Sequence, residues 1–212
     1  GQVIPVDWLA VIFNPSFPYR LTHMTLAAYV STALLVGAVG AWHLLRGNQS
    51  TANRKMLSMA MWMLLLTVPV QTFIGDLHGL NTLQYQPAKI AAIEGHWDNS
   101  SGEPTPLILF GMPNEDKEET QYKIEIPYLA SLILNHSLEK PIPALKDFPK
   151  EERPLSAVIF WSFRIMVMLG MLMLLQAFVA LVLRKGRKLY QSGLFLKFAV
   201  AMGPSGLIAI LA

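Results

Sequence analysis

Residues 155–183 read LSAVIFWSFRIMVMLGMLMLLQAFVALVL, and Arg164 is the single charged side chain in this run of 29 residues. A helix rises about 1.5 Å per residue and the hydrocarbon core of a bilayer is about 30 Å thick, so the run is long enough to span a membrane. Two further runs, residues 21–45 and 56–74, contain no charged residue, and a fourth begins near Gly193 and contains a break at Gly203-Pro204-Ser205-Gly206. The sequence therefore predicts an all-α polytopic membrane protein with about four transmembrane helices.

The composition also indicates a membrane protein. The chain is 53% hydrophobic and 15% charged, whereas a typical soluble domain has about 25% charged residues. It contains no cysteine, which excludes disulfides, thiolate metal sites and iron–sulfur clusters held by this chain alone. The sequence opens without a methionine or a signal peptide and stops inside an apolar stretch, so we expect an internal piece with a truncated C-terminus.

The charges predict how the chain is oriented. Residues 75–153 hold 13 of the 14 acidic residues, while the short loops at residues 46–55 and 184–188 are basic. By the positive-inside rule the short loops are cytoplasmic, so the acidic segment faces the opposite side. The expected domains are an interfacial lead-in (1–20), a transmembrane helix pair (21–74), an extracytoplasmic loop (75–154) and a second transmembrane helix pair (155–212).

His23 and Met166 are candidate haem ligands. His23 lies about one turn inside the first predicted helix and Met166 about three turns inside the third, on helices that run in the same direction, so their depths differ by about 5–10 Å. An imidazole nitrogen and a thioether sulfur on opposite faces of one haem suit a low-spin, electron-transferring iron. The alternative is that Met166, one of 11 methionines, fills space in the core and that His23 is interfacial.

Arg164 lies about ten residues into the third predicted helix, where a charge is costly unless it has a partner. One candidate partner is a haem propionate, which accepts two parallel hydrogen bonds from a guanidinium. The alternatives are an ion pair with a carboxylate of the acidic segment, or extension of the side chain to the interface. The residues alone leave these possibilities open.

The stretch QPAKIAAIEGHW at residues 86–97 has helical character, with Ile90 and Ile93 on one side. Lys89 and Glu94 are expected to share a broad polar side without forming a tight i,i+4 pair. A cation and a carboxylate beside an apolar face suit hydrogen bonds to a quinol, and Glu94 is placed to accept a proton when the quinol is oxidised. The alternative is an amphipathic helix that lies on the membrane surface.

The rest of the acidic segment carries weaker signals. His78, His96 and His136 have no metal-ligand spacing, so we predict that they are solvated. The charged run at residues 115–119 is also expected to be solvated. Residues 123–128 alternate polar and apolar side chains, which is typical of an edge strand or an extended segment.

Eight short stretches occur in an order and spacing that match a known family. They are Asn14-Pro15, Thr22-His23-Met24, Gly40-Ala41-Trp42-His43, Gly75-Asp76, residues 89–97, Leu109-Phe110-Gly111-Met112-Pro113, Ile126-Pro127-Tyr128 and Phe163-Arg164-Ile165-Met166. Together they resemble subunit I of the cytochrome bd quinol oxidases, in the short-loop or cyanide-insensitive-like branch. The resemblance covers nearly the whole chain.

The resemblance implies a role for each candidate residue. His23 and Met166 would be the axial ligands of a low-spin haem b, and Arg164 would be its propionate partner. Lys89 and Glu94 would contact quinol within a quinol-binding loop. The implied reaction is that of a quinol:oxygen oxidoreductase, in which electrons pass from quinol through this haem towards oxygen.

The resemblance also implies a setting. It places the chain in the bacterial cytoplasmic (inner) membrane, with residues 75–154 on the periplasmic side and with membrane lipid around the helices. The implied partners are oxidase subunit II and small accessory subunits, and no nucleic acid is implied.

The sequence departs from the family in what it lacks. The histidine that serves the oxygen-reducing haem pair and the Gly-Arg-Gln-Pro-Trp motif are absent from these 212 residues. Further haems b and d are therefore expected only in the full-length enzyme, and this chain alone is expected to be incomplete. Two other functions remain possible from sequence: a non-catalytic membrane module whose loop binds a partner protein, and a small b-type electron-transfer cytochrome.

Overall fold

The computed structural model describes residues 6–99, 103–135 and 141–212. Within these ranges, four helices are long and apolar enough to cross a membrane: Phe17–Leu45, Thr51–Tyr85, Lys150–Lys185 and Gly193–Leu211. This confirms the predicted fold class of a mostly helical, multi-pass membrane protein, to which the structure adds a small two-stranded sheet. His136 lies outside the described residues, so its solvated side chain stays a prediction.

The chain forms two compact units. The membrane unit comprises Gly1–Asp76 with Met166–Ala212, and the polar unit comprises Leu77–Ile165. In chain order the helices and strands are α1 (Trp8–Ile12), α2 (Phe17–Leu45), α3 (Thr51–Tyr85), α4 (Pro87–Glu94), β1 (Leu107–Asn114), β2 (Glu119–Ile126), α5 (Leu129–Asn135), 3-10 turns at Leu145–Asp147 and Lys150–Glu152, α6 (Ser156–Lys185), α7 (Gly193–Ala201) and α8 (Ser205–Leu211).

The core of the membrane unit is a single apolar cluster that draws on α2, α3, α6 and α7 and includes Leu34, Leu64 and Phe195. Small residues allow the helices to approach closely, as in other membrane bundles. A Cβ atom added to Gly206 would lie 2.6 Å from the Cα of Ser31, so α8 packs directly against the backbone of α2.

One helix break agrees with the sequence, and one helix end differs from the position expected from hydropathy. The fourth apolar run is broken between α7 and α8 around Pro204, as the sequence predicts. Helix α3 instead continues beyond the apolar run to Tyr85, because hydropathy marks the lipid-facing part of a helix and not its end. It stops where Gln86, with φ −141° and ψ 59°, precedes Pro87, since a proline disfavours the helical conformation of the residue before it.

The polar unit is built around α4 and a β-hairpin. Strands β1 and β2 are antiparallel, with Leu107 opposite Ile126 and Asn114 opposite Glu119. This confirms the extended segment predicted at residues 123–128 as far as Ile126, while Pro127 and Tyr128 form a turn. The indole Nε1 of buried Trp97 donates to the Thr120 hydroxyl oxygen at 3.1 Å, which connects the chain after α4 to β2.

The charged run in the hairpin turn is exposed as predicted except at Glu118, which is half-buried, and two of its residues also make long-range contacts. The Glu115 carboxylate accepts a hydrogen bond of 2.9 Å from the Ser156 backbone N–H at the start of α6. Glu118 forms ion pairs of 3.0 Å with both Lys150 and Arg153. These long-range contacts fix the 3-10 turn that leads into α6, and the local charge pattern did not reveal them.

Candidate functional site

Helix α4 carries two of the predicted site residues. Ile90 and Ile93 are buried, as expected, and belong to an apolar cluster with Ile142. Ala91, Ala92 and Glu94 are buried as well, so the helix is enclosed by its own unit and does not have the exposed polar face of a surface helix. Gly95 ends it in the left-handed conformation at φ +66°, where a side chain is disfavoured.

Lys89 and Glu94 do not share one polar side, contrary to the expectation from spacing. Five residues in an α-helix correspond to a rotation of about 140° between side chains. Lys89 is exposed, whereas Glu94 is only 6% exposed. The structure therefore places the cation at the surface of α4 and the carboxyl group in the interior.

A cavity of about 420 Å³ lies beside the first turn of α4. Its lining residues are Gln86, Pro87, Ala88, Lys89, Phe148, Glu152, Pro154 and Ile159. Its volume is within the range of about 300–1,000 Å³ that is usual for small-molecule sites. We call it the Lys89 cavity. Glu94 is not among its lining residues.

Glu94 is a buried acid with an open hydrogen-bonding position. Its Oε2 atom is fully buried and has no hydrogen-bond partner in the part of the chain that the structure describes. Burial raises the pKa of Glu94 to about 7, and the positive charge of Arg164 opposes this rise. A carboxyl group with this pKa exchanges a proton near neutral pH, as a general acid or base requires.

Arg164 is held by backbone carbonyl groups of the polar unit. Its Nε donates to the Ile108 carbonyl oxygen at 3.0 Å and its Nη2 donates to the same atom. Its Nη1 donates to the carbonyl oxygens of Ile93 at 2.6 Å and Phe160 at 3.2 Å. The guanidinium carbon lies 3.3 Å from the centroid of the Phe160 ring, a cation–π contact.

These bonds use four of the five guanidinium N–H groups and join α4 to β1. The sequence did not anticipate them, because backbone carbonyl groups have no residue-specific signal. The role of Arg164 as a propionate partner stays a prediction.

Arg164→Met is expected to destabilise the polar unit by about 2–4 kcal/mol, because the Ile93 and Ile108 carbonyl groups lose their charged donor. The variant should be cleaved faster by protease within residues 77–165 and should unfold at a lower temperature in detergent. Arg20→Met is the matched control, since Arg20 is exposed. Equal protease sensitivity in the two variants would contradict this assignment.

The stability of the polar unit should also depend on the proton of Glu94. Its folded-state pKa of about 7 lies above the ordinary value of 4.5, so between these values the folded state keeps a proton that the unfolded state loses. The free energy of unfolding should therefore fall by about 3 kcal/mol as the pH rises from 4.5 through 7. Thermal unfolding at several pH values would measure this, and Glu94→Gln should lack the decline.

In the membrane unit, His23 packs against α3. A Cβ atom added to Gly75 would lie 3.4 Å from Cε1 of the His23 ring, an ordinary van der Waals distance, so the imidazole lies next to α3 at Gly75. Met166 and Gly170 are one turn apart on α6, and a Cβ atom at Gly170 would meet no atom within 4 Å. His23 and Met166 are both half-buried, and their donor atoms are those of a low-spin haem site. The residues present therefore fit a haem.

The other described histidines of the acidic segment are not fully solvated. His96 is half-buried, and one ring nitrogen, Nε2, lies 2.7 Å from Oδ1 of Asn99. Burial lowers the pKa of His96. The prediction of a solvated side chain is therefore wrong for this residue, and His78 is half-buried too.

Across residues 6–99, 103–135 and 141–212, no cluster of three or more His, Cys, Asp or Glu side chains is arranged to hold a metal ion.

Glu152 and Phe148 also line the Lys89 cavity, from outside α4, and were not predicted as site residues. They lie in a short segment without helical or strand periodicity. The one signal available was the pair of prolines, Pro149 and Pro154, that bracket a charged turn just before an apolar helix.

Comparison with known proteins gives a consistent result. The model of the family "Cytochrome bd terminal oxidase subunit I" matches residues 1–212. The chain is 31% identical over 144 residues to cytochrome bd-II ubiquinol oxidase subunit 1 of Escherichia coli (strain K12), which covers 68% of this chain and 28% of that protein. It is 27% identical over 211 residues to cytochrome bd ubiquinol oxidase subunit 1 of Bacillus subtilis (strain 168), which covers 95% of this chain and 45% of that protein.

The fold is also found in a solved structure. The bd oxidase from Geobacillus thermodenitrificans superimposes with a TM-score of 0.88 at 32% sequence identity, over 99% of this chain and 48% of the matched chain. The chain thus spans less than half the length of each of these relatives.

Proposed function

Because this chain belongs to the cytochrome bd terminal oxidase subunit I family, we propose that it forms the quinol-oxidising, haem-binding part of a bd-type quinol:oxygen oxidoreductase. The observation that carries the proposal is the Lys89 cavity: an opening of small-molecule size beside α4, in the segment that the family resemblance assigns to quinol. Buried Glu94 lies on the same short helix.

The chemistry of quinol oxidation assigns these residues different tasks. Oxidation of a quinol to a quinone breaks two O–H bonds, releases two protons and gives up two electrons. The Lys89 ammonium group is exposed in the cavity and would donate a hydrogen bond to a quinol oxygen. Glu94 is buried on the same helix and, with a pKa near 7, would take up a released proton.

His23 and Met166 would hold a low-spin haem b, and Arg164 is proposed to pair with one of its propionates. When bound, such a haem accepts electrons one at a time. The His23 ring lies beside Gly75 of α3, so its imidazole would reach the haem iron from the α2–α3 side of the membrane unit.

The chain is a multi-pass membrane protein. We propose that it lies in the bacterial inner membrane with the polar unit on the periplasmic side, because the short loops carry the basic residues. Oxidase subunit II, and with it small accessory subunits, are the proposed partners. Haems b and d of the full-length enzyme would complete the route to oxygen.

Lys89→Ala tests the quinol site. In purified oxidase that contains this chain, the variant should raise the KM for a short-tail quinol by about tenfold, because one charge-assisted hydrogen bond is lost. The reduced-minus-oxidised haem spectrum should not change. Lys117→Ala is the control, since Lys117 is exposed in the hairpin turn. A normal KM for Lys89→Ala would count against the quinol site.

A further inference from the structure

The Lys89 cavity is also lined by a carboxylate that was not predicted as a site residue. Glu152 ends the 3-10 turn at Lys150–Glu152 and lines the same cavity as Lys89. In the described part of the chain neither Lys89 nor Glu152 forms an ion pair. The cavity therefore presents one cation and one anion that do not neutralise each other.

The turn that carries Glu152 is connected to the rest of the polar unit by ion pairs and a hydrogen bond. Its neighbours Lys150 and Arg153 both pair with Glu118 at 3.0 Å, and the Arg153 Nε donates to the Phe148 carbonyl oxygen at 2.8 Å. The nearby cations thus pair with Glu118 and not with Glu152. Glu152 is the one residue of this charged run that lines the cavity.

The two charged groups match the functional groups of a quinol. An ammonium group only donates hydrogen bonds and an ionised carboxylate only accepts them. A quinol carries hydroxyl groups at opposite ends of a flat ring, and each hydroxyl both donates and accepts. The apolar lining from Phe148, Pro154 and Ile159 suits the ring between them.

We propose that Glu152 is a quinol-binding residue, which accepts a hydrogen bond from one quinol hydroxyl while Lys89 donates to the oxygen at the other end of the ring. This rests on the proposed function and extends it, because the second polar contact comes from the turn before α6 and not from α4. Glu94, which does not line the cavity, then has the separate role of proton uptake.

The test is Glu152→Gln in the purified oxidase, with a short-tail benzoquinol and a short-tail naphthoquinol assayed in parallel. Replacing the charged acceptor with a neutral amide of the same shape should raise the KM by about tenfold for whichever quinol the enzyme oxidises. The haem spectrum should be unchanged. Glu151→Gln is the matched control: Glu151 is the exposed preceding residue, it does not line the cavity, and its KM should stay at the parent value.

Three outcomes are distinguishable. A KM for Glu152→Gln within twofold of that for Glu151→Gln, while Lys89→Ala raises KM, overturns the role of Glu152 and leaves the quinol site in place. Normal KM values in both Glu152→Gln and Lys89→Ala overturn the cavity as the quinol site, and the present inference with it. If Glu152→Gln loses its haem spectrum, Glu152→Ala, which also removes the carboxylate, replaces it in the same comparison.

Discussion

His23→Ala is expected to abolish the low-spin haem b band in the reduced-minus-oxidised spectrum. The substitution removes the imidazole that packs beside Gly75, and low-spin iron requires strong ligands on both faces of the haem. The helices should still insert, because His23 is not among the buried apolar residues of the membrane-unit core. His43→Ala, near the other end of α2, is the control and should retain the band.

Met166→Leu should have the same spectroscopic effect by removing the thioether ligand at nearly constant side-chain volume. Met168→Leu is the matched control, since Met168 is 56% exposed. An unchanged haem spectrum in both His23→Ala and Met166→Leu would refute the ligand pair. It would favour a non-catalytic membrane module in which these residues only pack.

Glu94→Gln should lower the rate of quinol oxidation by about a hundredfold, at the lower end of what removal of a general base costs. The effect should fall on kcat and not on KM, because Glu94 does not line the Lys89 cavity. Retention of the haem spectrum would show that the variant is folded. An effect on kcat would thus distinguish the role of Glu94 from the roles of Lys89 and Glu152, whose substitution is expected to change KM.

The pH dependence provides an independent measurement. A base with a pKa of about 7 is active when ionised, so the kcat of the parent enzyme should rise with pH through about 7 and then level off. Glu94→Gln should lose this rise. A parent-like pH profile and rate in the variant would show that Glu94 does not take up the proton.

Some features of the site followed directly from sequence. Four helices, the break at Pro204 and the helical character around Ile90 were predicted, because apolar run length, proline chemistry and local periodicity are properties of neighbouring residues. The resemblance to the cytochrome bd oxidases rested on short motifs spread along the chain, and the family comparison confirms it.

Other features depended on residues distant in sequence. Spacing suggested that Lys89 and Glu94 share one polar side, but packing of α4 inside the polar unit buries Glu94. Arg164 was expected to need an anionic partner or the interface, yet in this structure carbonyl groups 56 and 71 residues earlier accept its hydrogen bonds.

The sequence by itself determined the membrane class, the number of spans and the chemical types available at the site, since these depend on hydrophobic length, charge and residue identity. Tertiary structure decided which groups act together. It placed Glu152 in the Lys89 cavity, enclosed Glu94 and set its pKa near 7. Burial and electrostatic environment arise from the packing of residues far apart in the chain, and no local pattern specifies them.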